Sequence, residues 1–325
     1  MILFPIKRII FTVAVFTVTV FFQRDLWARP YAFITNQLDN NVSVIDTETN
    51  KVIKTVEVTG KPVGVAVNRL NSQVYISTPD GNGFAVLDSE NFSQINRVTT
   101  NNGALGIVTD QTGSRVFIAD WYENRVSVFE TEGFNLIKTI VVGKSPSGMA
   151  VSYDNQWLFV ANRVSNSISI INLEVLEARR TVNVGTHPFG ITIDSVGRRL
   201  YSANVESNDV TVVRLDNLNK ITTSTVPVQS RPYAVSLALN DSRLFVTNQD
   251  ESSVSVIDTK TLQEIAVIEV GEKPEGIATH PDDRHIYVAN WFDGTVSIID
   301  GQLLKVVQTI KTGDGSRAFG QFFSQ

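Results

Sequence analysis

The 325-residue sequence predicts an all-β fold, a seven-bladed β-propeller of four-stranded antiparallel blades whose ring is closed by a C-terminal strand completing the first blade. Three observations carry this reading. A tetrad recurs seven times, as in Phe33-Ile34-Thr35-Asn36, Tyr75-Ile76-Ser77-Thr78, Phe159-Val160-Ala161-Asn162 and Tyr287-Val288-Ala289-Asn290, at a step of 42 residues with one step of 44. The runs are rich in Val, Ile, Phe and Tyr and bounded by Asn, Asp, Gly and Pro, with no sustained helical periodicity after Ala28. The two ends are complementary: the chain enters at the second strand of a blade and leaves on a lone first strand.

Taken from the N-terminus, Lys7 and Arg8 precede an uncharged run from Ile9 to Phe22, followed by Gln23-Arg24-Asp25 and the small Ala28, the pattern of a secretory signal over 1–28. The run is short for a spanning helix, so cleavage is expected, with the mature chain beginning near Arg29 and no membrane span left in it; the apolar Met1 to Ile6 ahead of the basic pair keeps an uncleaved anchor as the alternative. Residues 29–325 then form one domain. Setting 1–28 aside leaves 25 basic against 32 acidic residues, a net charge of −7. The absence of cysteine rules out disulfides, thiolate nucleophiles and cysteine metal sites, so an exported chain must be held by packing and strand pairing.

Within each repeat the tetrad strand is followed by a second run such as Val42 to Asp46 or Val254 to Asp258, then a third such as Lys138 to Val142. A Pro-x-Gly run such as Pro146-Ser147-Gly148 then opens the next blade. A four-stranded unit recurring every 40 to 50 residues, roughly, reads as a blade, because one small sheet cannot bury both faces until neighbours stack on it. Gly64, Gly106, Gly148, Gly190, Ala234, Gly276 and Ala318 fall where seven innermost strands converge, which demands small residues. The last segment, 313–323, sits 42 residues after 271–281, with Ser316 under Pro274 and Ala318 under Gly276, so it supplies the inner strand of the blade begun by residues 31–58.

The Asn-ending tetrads, the Val-Ser-Val-Ile-Asp strands (Val42 to Asp46, Val254 to Asp258), the Asp-Thr-x-Thr turns (Asp46 to Thr49, Asp258 to Thr261) and the Gly-x-x-Pro-x-Gly opening (Gly271 to Gly276) together resemble the tyrosine-valine-threonine-asparagine (YVTN) β-propeller repeat family of prokaryotic exported and surface proteins. The resemblance covers residues 31–325. It implies roles among surface-layer proteins, periplasmic propellers of the YncE type and accessory subunits of redox complexes, and fold alone does not choose between them. Blade two departs most, with Thr78-Pro79 in place of the Asn.

Loops before the innermost strand and after the second share one end of the ring, the top. Aromatic and cationic residues gather there: Trp121, Tyr122, Arg163, His187, Phe189, Arg231, Tyr233, Lys273, Trp291 and Arg317. They vary from blade to blade while the strand columns stay uniform, which points to a binding face for a protein partner or a small anionic or aromatic ligand. His187 has no companions at ligand spacing, and His280 and His285 flank a turn, so no metal ligand, cofactor or catalytic residue is assigned. The carboxylates Asp46, Asp88, Asp258 and Asp300 recur at one blade position and read as turn chemistry. The inner strands carry ionisable residues only at their ends, so a non-catalytic exported module, periplasmic or at the cell surface, ranks first. A lactonase-like hydrolase and a single-stranded nucleic-acid binder of YncE type are the alternatives, the latter opposed by the net charge of −7.

Overall fold

The computed structural model describes residues 30–100 and 103–324. The expected export signal lies outside the described residues. Blade four shows how a unit is built: Pro146–Val151, Trp157–Asn162, Ser167–Asn172 and Glu177–Asn183 pair in chain order as an antiparallel sheet from the axis outward. The same order holds in blades three (104–141), five (188–227), six (232–269) and seven (274–311). The second and third strands are buried at nearly every position, whereas the outer strand is mostly exposed. Both faces of each sheet are covered by neighbouring blades, so these strands read as continuous apolar runs instead of alternating. Between blades two and three, for example, Phe84 meets Phe129 edge-on with ring centroids 5.7 Å apart. Among the described residues no helix is long and apolar enough to cross a membrane.

The Asn that ends the tetrad fixes the hairpin that follows it. In blade four the Asn162 side-chain amide donates to Ser167 Oγ at 3.2 Å and to Ser169 Oγ at 3.0 Å. Asn36, Asn204, Asn248 and Asn290 donate in the same way to side chains five and seven residues on. One buried amide thereby satisfies the inward-facing oxygens of two positions on the partner strand. At the other end of the hairpin the carboxylate column acts as expected. Asp258 Oδ1 accepts from the backbone N–H of Lys260 (3.0 Å) and Thr261 (2.9 Å), and Asp46, Asp88 and Asp300 make the equivalent pairs. The small-residue column has its expected cause too: a Cβ on Gly106 would lie 1.9 Å from the Ser147 carbonyl oxygen, and one on Gly276 equally close to that of Arg317.

Ring closure begins in the expected register and then departs from it. Ser316 bridges to Asn36, as Pro274 does to Asn290 in blade seven. Further along, Ala32 pairs with Phe323, two residues beyond the Gln321 that the other blades' pairing calls for. The two extra residues swing Phe319–Gln321 out of blade one to run parallel with Gly64–Ala66 of blade two. Gly320 takes φ +117° there, a conformation that side chains disfavour. The closing segment therefore stitches two blades, with backbone bonds from Phe33 N to the Phe322 carbonyl (2.9 Å) and from Arg317 N to that of Thr35 (2.8 Å). Phe322 and Phe323 are buried at the seam.

Candidate functional site

The column that precedes the inner strands is set by backbone geometry. Lys61, Gly103, Ser145, His187, Arg231, Lys273 and Gly315 all have positive φ, between +52° and +96°. In four blades their backbone N–H is held by an Asn four residues past the tetrad: Asn40 to Lys61, Asn124 to Ser145, Asn166 to His187 and Asn208 to Arg231, each at 2.9 Å. This column presents His187, Arg231 and Lys273 on the top surface, where carboxylates meet their side chains. Arg231 pairs with Glu206 (3.0 Å) and Asp250 (3.7 Å), Lys273 with Asp250 (2.7 Å), and His187 Nδ1 lies 3.8 Å from Glu206. The expected basic ring is thus matched by acids supplied from the loops of blades five and six. Such cations are less available to phosphates than their number in the sequence suggests.

One residue after the inner-strand proline position, the side chains plug the axis. Phe189 and Tyr233 are buried, with centroids 4.1 Å apart, and Phe319 packs 4.8 Å from Phe189. Trp121 covers Phe189 from the side at 6.2 Å, and the Arg163 guanidinium lies 5.8 Å from the Trp121 ring centre. Beside the aromatics stands a buried ion pair, Arg317 Nε to Glu275 Oε2 at 2.7 Å. Gln249 donates to the other Glu275 oxygen, Arg317 also donates to Tyr233 Oη and to Gln37 Oε1, and Trp291 Nε1 donates to that same Gln37 oxygen at 3.1 Å. Burial opposes the Arg317 charge, but the Glu275 carboxylate and the Tyr233 oxygen outweigh it and raise its pKa. Burial likewise pushes the Tyr233 hydroxyl well above its ordinary value.

The ten residues singled out in the sequence therefore divide. Phe189, Tyr233, Arg317, Trp121 and Trp291 form or brace the plug, Arg231, Lys273 and His187 sit in surface ion pairs, Arg163 covers Trp121, and Tyr122 stands 69% exposed. Apart from Tyr122, sequence reasoning left out the column two residues past the tetrad. It reads Leu38, Asp80, Tyr122, Val164, Glu206, Asp250 and Phe292, so adjacent blades seven and one, and adjacent blades three and four, present exposed apolar side chains while the others present acids. Exposed large side chains at one repeated position were the available signal, and it required aligning that column.

Comparisons with known proteins agree on the fold. Two family profiles match parts of the chain: "Lactonase, 7-bladed beta-propeller" over residues 134–235 and "Cytochrome D1 heme domain" over residues 203–318, each about a third of it. No curated protein matches. Among solved structures, Kuenenia stuttgartiensis hydrazine synthase superposes with a TM-score of 0.76 at 17% identity, over 82% of this chain and 91% of that one. The Pseudomonas aeruginosa periplasmic gluconolactonase PpgL does so with 0.74 at 17%, over 88% and 98%. Dihydro-haem d1 dehydrogenase NirN, solved with DHE, gives 0.66 at 13%, over 86% and 63%. At these identities the likeness is one of fold.

Haem, which the second family description names, finds no free histidine in the channel that opens on the axis below the plug. His280 is the histidine that reaches the channel, and both its ring nitrogens are engaged, Nε2 with Thr47 Oγ1 at 3.1 Å and Nδ1 with the Asp282 N–H at 3.2 Å. Among the described residues no group of three or more His, Cys, Asp or Glu is arranged to hold a metal ion.

Proposed function

We propose that this protein is an exported, non-catalytic assembly module that docks a protein partner on its top face. The observation that carries the reading is the exposed apolar column, Leu38 and Phe292 in one pair of neighbouring blades and Tyr122 and Val164 in another, around an axis already filled by Phe189 and Tyr233. A filled axis leaves no room there for a small ligand, whereas separated apolar patches between acidic loops suit a broad protein surface, where aromatic side chains anchor binding. The export signal over 1–28 and the resemblance to YVTN-type propellers support a periplasmic or cell-surface setting. The test is to recover the partner that co-purifies from the native host and measure its affinity for Tyr122→Ala with Phe292→Ala. Both side chains are about two-thirds exposed, so melting should hold within a few degrees while affinity falls by about 2 kcal/mol or more. Unchanged affinity, or loss of binding on changing Arg198 and Asp216 at the bottom instead, excludes the top face.

A second reading, lactone hydrolysis, draws on the profile match to residues 134–235. Turnover of a sugar lactone by the purified protein, abolished by a substitution lining the channel, is the result that favours it over docking.

A further inference from the structure

Below the plug the axis opens. A cavity of about 610 Å³ runs from the glycine column down to the bottom face, blind at its upper end where Phe319 lies under Phe189 and Tyr233. Its wall is apolar at mid-depth, through Ile107, Met149, Ile191 and Ile277. The inner strands of blades three to seven are edge strands, paired along one side with the strand outside them, and some of their carbonyls are taken by hydroxyls of the next blade, as that of Leu237 is by Thr279 Oγ1 (2.7 Å). Asn68 also lines the cavity, but its amide is turned to Gly113: the nitrogen donates to the Gly113 carbonyl (2.7 Å) and Oδ1 is buried against the same backbone.

The rim gives the sign of the ligand. Of its carboxylates, Asp110 is neutralised by Arg115 at 2.9 Å. Asp241 and Asp283 are in no ion pair among the described residues; each accepts one backbone N–H, from Ser195 and Asn240. Against these two stands one rim guanidinium, that of the exposed Arg69. Tyr153 stands at the rim with its ring largely exposed, and it also walls a second cavity of about 400 Å³ lined by Asp154, Trp157 and Asp216, the last paired with Arg198 at 3.9 Å. Desolvation and then the Asp241 carboxylate raise the Tyr153 hydroxyl's pKa, with Arg69 opposing.

We infer that the channel is a binding site, open on the bottom face, for a small organic ammonium: a protonated amine with an apolar body. The body fills the isoleucine-lined depth, and the N–H donors meet the Asp241 and Asp283 carboxylates beside a Tyr153 ring able to receive a cation. The site is separate from the docking face, and its failure leaves that reading untouched.

Calorimetric titration with three probes of one shape tests it: 4-phenylbutylamine, 4-phenylbutanol and 4-phenylbutanoate, at neutral pH. Saturable binding of the amine is expected, with the alcohol and the acid weaker by about tenfold or more. That ratio is read on the unmodified protein. Asp241→Asn with Asp283→Asn keeps the oxygens that accept the backbone N–H groups and should weaken the amine by about tenfold while leaving the alcohol unchanged. Tyr153→Leu, at an exposed ring, should weaken the amine more than the alcohol. The inference falls if the amine does not saturate, if the alcohol or the acid binds as tightly, or if the folded double variant retains the parent's affinity for the amine.

Discussion

Glu275 and Arg317 carry opposite charges into the most crowded part of the ring, and each is acceptable there only because of the other. Glu275→Gln leaves the Arg317 guanidinium buried without a counter-charge, with an expected loss of about 3 kcal/mol in urea unfolding. Replacing both by apolar residues of similar size should cost far less, which separates the pair's desolvation from its packing. Asp300 behaves differently, being at the surface end of its blade. The hydrogen bond from Arg284 (2.6 Å) holds its carboxyl down at about 2, against burial, with the N–H groups of Leu303 and Gln302 helping. A depressed carboxylate contributes stability that is fully present above the unfolded value near 4 and is lost as pH falls through about 2. Asp300→Asn should therefore cost about 1 kcal/mol at pH 7, limited by screening at the half-exposed Arg284, and the gap to the parent should narrow between pH 4 and 2 in denaturant titrations. The turn role of Asp300 was legible because the same residue recurs at the same blade position. The burial of Phe189, Tyr233 and Arg317 was not, because a column of differing residues looks alike whether it lines a mouth or fills it, and only the ring's diameter decides.

At the scale of the element, the closing strand is the informative case. Its register at Ser316 followed from the 42-residue period, since that position aligns with six proline-column positions. The two-residue bulge at Phe319–Gln321 has no counterpart in the other blades, so no internal comparison could reveal it. Deleting 313–325 removes Phe322 and Phe323 from the seam and uncovers the inner edges of two blades at once. Thermal melts should show a lower midpoint for the whole molecule, and limited proteolysis should cut in blade two as well as in blade one; a variant with the parent's melting point and resistance would falsify the stitching role. Gly320→Val tests the bulge alone. At φ +117° a β-branched side chain is strained, and its Cβ would also meet the Val65 carbonyl oxygen at 2.4 Å, so a loss of about 2 kcal/mol or more is expected from chemical unfolding.

For the molecule as a whole, closure turns a row of similar units into one cooperative body. Each blade buries both faces against neighbours, and the ring has no terminal unit to fray. Far-ultraviolet dichroism and tryptophan fluorescence should therefore report one coincident unfolding transition, whereas a chain lacking the closing strand should show the two probes separating. The stitch also has a consequence in time. Asn36 and its closing partner Ser316 are 280 residues apart, and a chain emerging from a ribosome at about 5–20 residues per second needs roughly 15 to 55 s to deliver one to the other. Until that last segment arrives the first sheet has three strands and a bare inner edge, so the ring cannot close before nearly the whole chain has been made.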